Sequence, residues 1–320
     1  MKAIVYHSYG SPDVLKHEVR EKPTVRDNEV LIRVRAASVN PLDWRLMRGR
    51  PYFLRLMLGL RKPKETRVGR DVAGEVELVG RNVTQFRPGD KVFGTCDGAF
   101  AEYACAFESK LAMTPVSIPF EEAAAVPIAG LTALQGLRDK GHIQPGQKVL
   151  INGAAGGVGT FAVQIAKALG AHVAGVCSTK SVDMIRAIGA DHVIDYTQED
   201  FTKGTERYDL ILDNVGTHSL SACRRVLSPH GRLVIVGAKR VGVVLARALQ
   251  ARVLSRFVGQ KFEFFVASIT TEDLKFMGEF IEAGKVRPVI DRRYRLNEVP
   301  LAIGYLEEGH ARGKVVITVD

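Results

Sequence analysis

The residues best suited to chemistry in this sequence lie in a glycine-rich stretch, residues 148–159, which reads KVLINGAAGGVG. Its first five residues are the short, nearly all-apolar run that is typical of a parallel strand buried on both faces. The glycines follow at once, and an apolar stripe at helical spacing then runs to Gly170, where a helix would end. A glycine turn before a helix can bind a pyrophosphate, because the helix N-terminus has unpaired N–H groups and a positive dipole end. The stretch predicts nucleotide binding, although the fingerprint G-x-G-x-x-G fits only in part, with Ala154 at its first glycine.

The next predicted strand bears on the choice of nicotinamide cofactor. In enzymes that use NAD, an acidic side chain about 20 residues past the glycines bonds the ribose 2′-OH. Here the strand ends in the residues VCSTK, 176–180, and has no carboxylate at its tip. A 2′-phosphate would meet the hydroxyl of Ser178 and the ammonium of Lys180 instead of a repelling charge. The sequence therefore favours NADPH, and a solvated lysine at a helix start is the alternative interpretation of Lys180.

Two kinds of sequence pattern indicate the domains that hold these residues. Residues 1–117 contain short apolar or alternating runs bounded by Gly, Pro, Asn or Asp, which indicates a β-rich, barrel-like domain. From about Phe120 strand and helix patterns alternate, which is typical of an α/β protein with a doubly wound parallel sheet. The predicted strands of that sheet are 148–152, 171–177, 192–194, 208–213, 231–236 and 261–267. The tail adds predicted helices at 274–283 and 299–308 and a closing strand at 315–319.

Composition limits the classes of protein to which the chain can belong. With 320 residues, 46% of them hydrophobic, it is most simply interpreted as two domains. No apolar run approaches the ~20 residues of a membrane span, and the N-terminus enters a strand-like pattern directly, so we expect a cytoplasmic protein without a processed leader. The four cysteines are scattered and form no C-x-x-C pair, which predicts neither a disulfide framework nor a zinc ribbon.

The net charge of +10 needs either a partner or another explanation, and it could attract nucleotides, acyl phosphates, anionic membrane or nucleic acid. No nucleic-acid motif accompanies it, so nucleic acid is not expected. Between residues 45 and 70 nine cations are interleaved with apolar residues, which indicates either a solvated lid or a patch for an anionic membrane surface or acidic ligand. A second acid-free basic run follows the fifth sheet strand: Lys239, Arg240, Arg247, Arg252, Arg256 and Lys261.

Several motifs together carry a resemblance to a known family. They are NPLDW at 40–44, GRDVAG at 69–74, RPGDKV at 87–92, the glycine turn at 153–159, Asp195-Tyr196, and GHARGK at 309–314. With these motifs the chain resembles the medium-chain dehydrogenase/reductase superfamily, especially its zinc-free quinone oxidoreductase branch with the reticulon-interacting and chloroplast-envelope members. The resemblance implies a catalytic, GroES-like domain formed by residues 1–119 and 268–320. It also implies an NADP-binding Rossmann domain at 120–267 and an active site in the cleft between the domains.

The same resemblance bears on zinc. A catalytic zinc needs three N, S or carboxylate ligands and an open position. Zinc-dependent relatives supply two of them from a Cys and a Gly-His-Glu segment, where this chain has Asn40-Pro41 and Gly69-Arg70-Asp71. Arg70 cannot ligate zinc, and Cys96 and Cys105 are better interpreted as buried packing residues. We therefore expect no metal, which favours activated acceptors such as quinones or α,β-unsaturated carbonyls.

The resemblance also implies which residues would bind the cofactor. Tyr196 would lie at the 2′-phosphate unless it is simply a surface tyrosine, and His310 and Arg312 would close over the cofactor unless the histidine is structural. The full set is Thr132, Ala155, Gly156, Gly157, Val158, Ser178, Lys180, Tyr196, Asn214, Gly237, Phe265, His310 and Arg312, with Gly237 and Phe265 near the nicotinamide.

Three residues are candidates for the chemistry itself. The amide of Asn40 can donate a hydrogen bond near the nicotinamide while staying neutral. Asp43 either orients the loop through local hydrogen bonds or acts directly. The resemblance makes Tyr52 a candidate proton donor, as a tyrosine after the loop glycine is in relatives, although it stands one residue further from Gly49 than the usual enoyl-reductase spacing.

Together these features predict a zinc-independent NADPH oxidoreductase that reduces a quinone or an α,β-unsaturated carbonyl. Two alternatives stay open: a 2-enoyl thioester reductase, and an interaction protein that binds NADPH with little turnover. The apolar last sheet strand, 261–267, would lie at a sheet edge, so we expect a homodimer joined there unless its flanking charges protect that edge.

Overall fold

The computed structural model describes residues 1–237 and 259–320. Contacts within the chain divide it into two units. Unit 1 comprises Met1–Leu131, Ile269–Gly284 and Pro288–Asp320, and unit 2 comprises Thr132–Ser268 and Lys285–Arg287. The first boundary falls after Leu131 rather than at the predicted residue 119, because the helix Phe120–Ala124 buries Glu122, Ala123 and Ala124 within unit 1.

Strands and helices of the described residues are numbered in chain order. The strands are β1 (Lys2–Tyr6), β2 (Leu15–Val19), β3 (Glu29–Val39), β4 (Asp71–Val79), β5 (Lys91–Thr95), β6 (Tyr103–Phe107), β7 (Leu111–Met113), β8 (Lys148–Asn152), β9 (His172–Cys177), β10 (His192–Asp195), β11 (Tyr208–Asp213), β12 (Leu227–Ile235), β13 (Lys261–Phe264), β14 (Ile290–Arg295) and β15 (Lys314–Thr318). The helices are α1 (Pro41–Arg48), α2 (Arg55–Leu58), α3 (Phe120–Ala124), α4 (Pro127–Gln135), α5 (Gly157–Ala168), α6 (Val182–Ala187), α7 (Leu220–Arg225), α8 (Thr271–Glu282) and α9 (Val299–Glu307).

Unit 2 contains a six-stranded parallel sheet in the order β10-β9-β8-β11-β12-β13. Strands β8 and β11 have the predicted bounds, whereas β13 ends at Phe264 and is shorter than predicted. The chain order reverses between β8 and β11, and in such sheets ligands bind outside the carboxyl ends of the strands at this point. The predicted doubly wound, Rossmann-type sheet is confirmed.

Unit 1 contains a mainly antiparallel sheet in the order β14-β15-β3-β4-β5-β7, and β6 also pairs with β3. Strand β15 lies antiparallel to β3, with Val316 opposite Ser38, so the C-terminal part of the chain completes the N-terminal sheet as the resemblance implied. The sequence did not predict β14, since this strand, IDRRYR, lacks an apolar pattern.

The core of unit 1 is apolar and includes one face of α9, where Val299, Ala302 and Ile303 are fully buried at the spacing of successive helical turns. No helix among the described residues is long and apolar enough to cross a membrane. Apart from the exposed Lys261, the second basic run of the sequence lies outside the described residues.

Candidate active site

The predicted glycine turn of unit 2 joins the end of β8 to the start of α5. Gly153 has φ +77°, and a Cβ on Gly159 would lie 2.1 Å from the Gly153 carbonyl oxygen, so glycine is required at both positions. Helix α5 begins at Gly157, and Gly156 is its N-cap residue. Among the described residues no side chain caps this helix start, and the first turn contains no acidic residue. Ala155, Gly156, Gly157 and Val158 thus form an uncapped helix start of the kind that binds anions.

The carboxyl ends of β8 and β11 are joined by buried polar side chains. Asn152 Nδ2 donates to Asp213 Oδ1 at 2.8 Å, and the backbone N–H groups of Val215 and Gly216 donate to the same oxygen. Asn214 stands between Asp213 and Val215 in the sequence. Its carboxamide nitrogen and oxygen are buried without a hydrogen-bond partner in the described part of the chain. Buried polar groups are rarely left unpaired, so this amide fits a contact with a bound cofactor.

Gly237 and Phe265 also lie in unit 2. A Cβ on Gly237 would lie 2.3 Å from the Asn214 carbonyl oxygen, so these two predicted residues are brought together by a close backbone approach. Phe265 is half-buried, and its ring approaches Gly136, where a Cβ would lie 3.5 Å from it. Thr132 is half-buried in α4.

A carboxylate at the end of β10 lies beside the residues that follow β9. Ser178 and the exposed Lys180 follow β9, and Tyr196, which is 60% exposed, follows β10 and donates its backbone N–H to Cys177. The carboxylate of Asp195, at the end of β10, accepts a hydrogen bond of 2.5 Å from Thr179 Oγ1. That hydrogen bond lowers the pKa of Asp195, so this group is an anion at neutral pH.

Asp195 belongs to one of the motifs that carry the resemblance, but it was given no role at the cofactor because an acid was expected only at the tip of β9. Parallel strands end at the same edge of their sheet, so the end of the neighbouring strand was the signal that could have found it. Asp195 also accepts from Thr197 and Gln198, which spreads its charge over three side-chain donors.

Unit 1 has a buried cluster of polar side chains, which we call the polar network: Ser38, Asn40, Asp43, Asp71 and Lys314. Three neighbouring strands bring it together, because Ser38 lies near the end of β3, Asp71 begins β4 and Lys314 begins β15. The ammonium of Lys314 lies 3.3 Å from Asp71 Oδ2, and these side chains are 3% and 0% exposed. Asp71 Oδ2 also accepts from Ser38 Oγ at 2.7 Å. A buried ion pair of this kind needs such additional hydrogen bonds.

Asn40 occupies the centre of the polar network. Its Oδ1 accepts from Lys314 Nζ at 2.7 Å, and its Nδ2 donates to Asp71 Oδ2 at 2.8 Å and to the Ser38 carbonyl at 3.3 Å. The side chain is 2% exposed. The amide predicted to donate to a substrate therefore has both N–H groups engaged within the protein, and the bond to the Ser38 carbonyl is the longer one.

Asp43 supports the start of α1, because its Oδ2 accepts the backbone N–H of Asn40 at 2.7 Å. Its Oδ1 is buried without a partner among the described residues. Burial raises the pKa of Asp43 to about 7, and the charge of Asp71 contributes in the same direction. The hydrogen bond from Asn40 and the positive charges of Lys314 and Arg70 lower it by less.

Sequence reasoning did not single out Lys314. Gly313, which precedes it, has φ +117°, and a Cβ there would lie 2.4 Å from the Val289 carbonyl oxygen, so glycine fixes the entry into β15. Gly69 has φ +96° before the start of β4, where a Cβ would lie 2.7 Å from the Phe100 nitrogen. A lysine between a required glycine and the apolar run 315–317 was the available signal.

Tyr52 is not part of the polar network. It is 63% exposed, and the guanidinium of Arg55 lies 4.9 Å from the centre of its ring. Arg50 donates to its hydroxyl at 3.4 Å. His310 is exposed and Arg312 donates its backbone N–H to Asp291; both belong to unit 1, whereas the glycine turn belongs to unit 2.

Arg70, Cys96 and Cys105 lie in environments other than a metal site. Arg70 forms an ion pair with Asp97, and Cys96 is buried, which raises the pKa of its thiol. Cys105 is half-buried and its pKa is raised to about 11, again mainly by burial. In the part of the chain that the structure describes, no three His, Cys, Asp or Glu side chains are grouped to hold a metal ion.

Comparison with known proteins identifies the family. The family model described as "Alcohol dehydrogenase GroES-like domain" matches residues 26–116, and the one described as "Zinc-binding dehydrogenase" matches residues 188–317. The mouse protein "NAD(P)H oxidoreductase RTN4IP1, mitochondrial" is 35% identical over 100% of this chain and 89% of its own length. The Arabidopsis thaliana protein "NADPH-dependent alkenal/one oxidoreductase, chloroplastic" is 33% identical over 99% of this chain and 79% of its own length.

A solved structure agrees with these relatives. The quinone oxidoreductase from Coxiella burnetii has a TM-score of 0.88 and 33% identity, and the match covers 100% of this chain and 99% of that one. The identities, the coverage and the shared fold show that this chain belongs to the medium-chain dehydrogenase/reductase superfamily, within its family of NAD(P)H-dependent quinone and enone oxidoreductases.

Proposed function

We propose that the protein is a zinc-independent, NADPH-dependent oxidoreductase that reduces a quinone or an α,β-unsaturated carbonyl. The observation that supports this most is the polar network, in which Asn40 is held by the buried pair of Asp71 and Lys314. In zinc-dependent relatives this region supplies metal ligands, whereas here Asn40, Asp71 and Lys314 bond one another. Hydrogen bonds from such a fixed polar group suit acceptors that are already activated.

NADPH is the cofactor that we propose for unit 2. When bound, it supplies the hydride. The uncapped start of α5 would hold its pyrophosphate, and the unpaired amide of Asn214 would bond the nicotinamide half. Ser178, Lys180 and Tyr196 would surround the 2′-phosphate, with Asp195 opposing it from the neighbouring strand. Thr132, Gly237, Phe265, His310 and Arg312 stay candidates for further cofactor contacts.

The chain's own residues would then stabilise negative charge and deliver a proton. The bond of 3.3 Å from Asn40 Nδ2 to the Ser38 carbonyl is the bond that an acceptor oxygen could replace at least cost. Lys314 holds the other end of the amide, so the nitrogen and oxygen cannot exchange places. The exposed hydroxyl of Tyr52 is the proposed proton donor.

A steady-state screen with NADPH and a panel of quinones, enones and enoyl thioesters tests the activity. We expect turnover with quinones or enones, and undiminished turnover after dialysis against a strong chelator. Preference for enoyl thioesters would favour the alternative reductase, and tight NADPH binding without turnover would favour an interaction protein. Activity that is lost on chelation and restored by zinc would contradict the zinc-free mechanism.

Two matched variants test the cofactor assignment. We expect the unmodified protein to bind NADPH at least about tenfold more tightly than NADH, or about 1.4 kcal/mol. Lys180→Asp should remove this preference, whereas Asp195→Asn should increase it, because the two changes alter the charge near the phosphate in opposite directions. Equal affinities for both cofactors in the unmodified protein would exclude the NADPH assignment.

The proposed homodimer and the cytoplasmic location stay predictions. Strand β13 is at the edge of its sheet among the described strands, and Val266, just beyond it, is 82% exposed. Phe264→Glu in β13 should shift a dimer to a monomer in light scattering, and a protein that is already monomeric at high concentration would exclude this interface. Fractionation of the source cells tests the location.

A further inference from the structure

The surface of unit 1 between residues 50 and 64, which we call the basic segment, exposes a dense group of large apolar side chains. Five of them lie within nine residues: Tyr52 (63% exposed), Phe53 (50%), Leu56 (70%), Met57 (78%) and Leu60 (68%). Single exposed apolar residues are ordinary on a protein surface, but a contiguous group marks an interaction site.

Four of the five cations of the basic segment are exposed as well. Arg50, Arg61, Lys62 and Lys64 form no ion pair with any residue that the structure describes. Cations on either side of them in the sequence do have acidic partners, since Arg48 pairs with Glu307, Arg67 with Glu65 and Arg70 with Asp97. The unpaired charge is therefore concentrated beside the exposed apolar side chains.

The backbone of the basic segment is held in place, so these side chains are presented on a fixed surface. Arg55 donates to the carbonyls of Gly49 and Arg48, and its guanidinium lies 4.3 Å from the centre of the Tyr9 ring. The Tyr9 hydroxyl donates to the Gly59 carbonyl at 2.8 Å, and the Lys64 N–H donates to the Leu58 carbonyl at 2.8 Å.

We propose that the basic segment docks on an anionic lipid surface. Each cation beside such a surface is attracted by its negative potential, and exposed apolar side chains of the same segment can enter the boundary between headgroups and acyl chains. A soluble acidic partner would satisfy the cations but leaves no reason for five exposed apolar side chains among them. The proposal does not rest on the proposed reaction, because it uses neither the cofactor residues nor the polar network and holds whether or not Tyr52 donates a proton.

The test is co-sedimentation of the full chain with phosphatidylcholine vesicles, with and without phosphatidylglycerol, at low and high salt. We expect sedimentation only with the anionic vesicles and mainly at low salt, because exposed charges are screened over about 8–10 Å. Binding to both kinds of vesicle alike, or to neither at low salt, would overturn the proposal.

Two sets of variants separate the charged and apolar contributions. Arg61→Gln/Lys62→Gln/Lys64→Gln should weaken partitioning to anionic vesicles at least about tenfold. The control Lys16→Gln/Arg81→Gln/Arg87→Gln, which removes as much exposed charge elsewhere in unit 1, should change it less than about twofold.

The variant Leu56→Ser/Met57→Ser/Leu60→Ser should also weaken partitioning, unlike the control Val19→Ser/Val116→Ser/Leu301→Ser at other exposed positions. NADPH affinity serves as the check on folding. Equal effects of a variant and its control would overturn the proposal.

Discussion

The polar network and the basic segment both belong to unit 1 and both contain lysine, but the lysine of the network is buried and paired whereas those of the segment are exposed. Lys314 is 3% exposed and bonds Asn40 and Asp71, whereas Lys62 and Lys64 are exposed and form no ion pair with the described residues. A buried charge without a partner is very costly, so the network must be satisfied internally. An exposed charge costs little when unpaired, so the segment keeps its charges available for a partner outside the chain.

The largest expected effect contrasts the two lysine environments directly. Lys314→Met should lower the free energy of unfolding by about 3–5 kcal/mol, because it leaves the carboxylate of Asp71 buried and unpaired. Lys62→Met should change it by less than about 0.5 kcal/mol. Urea denaturation measures both, and the double variant Lys314→Met/Asp71→Asn should recover part of the loss. Similar effects for the two lysines would contradict the contrast.

The next effect concerns pH. Burial raises the pKa of Asp43 from 3.8 to about 7, so between these values the folded state binds more protons than the unfolded state. This contribution therefore makes stability fall as pH rises from about 4 to about 7, by on the order of a few kcal/mol. Asp43→Asn should flatten the dependence in that window. Parallel curves for the variant and the unmodified protein would exclude the assignment to Asp43.

A smaller effect is expected for a single hydroxyl. Ser38 Oγ donates to the buried Asp71 at 2.7 Å, and Ser11 Oγ donates to the exposed Asp13 at 2.8 Å. Ser38→Ala should cost about 1–3 kcal/mol because a buried carboxylate loses a donor, whereas at Ser11 water replaces the hydroxyl. Thermal unfolding of both alanine variants measures the difference. An equal loss at the two sites would show that burial does not set the strength of these bonds.

The smallest effect concerns the anchoring of the basic segment. Arg55→Lys should cost about 0.5–1 kcal/mol, since an ammonium cannot reproduce the stacking on Tyr9 together with the bonds to Gly49 and Arg48. Arg50→Lys, at an exposed position, is the matched control and should be nearly neutral. Thermal unfolding and vesicle binding of the two variants check this, and a neutral Arg55→Lys would show that other contacts hold the segment.

The sequence could predict elements whose pattern is local. The apolar strands β8 and β11 were predicted with the observed bounds, because one short stretch holds the whole signal. The glycine turn between β8 and α5 was predicted for the same reason, although α5 begins at Gly157, within the predicted turn. The polar network could not be predicted in this way. Lys314 and Asn40 meet only because β15 pairs with β3, and no local pattern specifies that pairing. Asp195 lies between these two extremes of predictability. Its strand was predicted, and knowing that β10 pairs with β9 would have placed the carboxylate near Thr179.

The pairing of β15 with β3 also affects the order in which the two units can fold during synthesis. Asn40 and Lys314 are 274 residues apart, so the sheet of unit 1 stays incomplete until the residues between them have been synthesised. Domains generally fold as units in the order in which they emerge. Here unit 2, which is continuous from Thr132 to Ser268, can fold while unit 1 still waits for its last strand. A nascent chain therefore acquires the polar network only after Lys314 has been added, when the residues of unit 2 have already been synthesised.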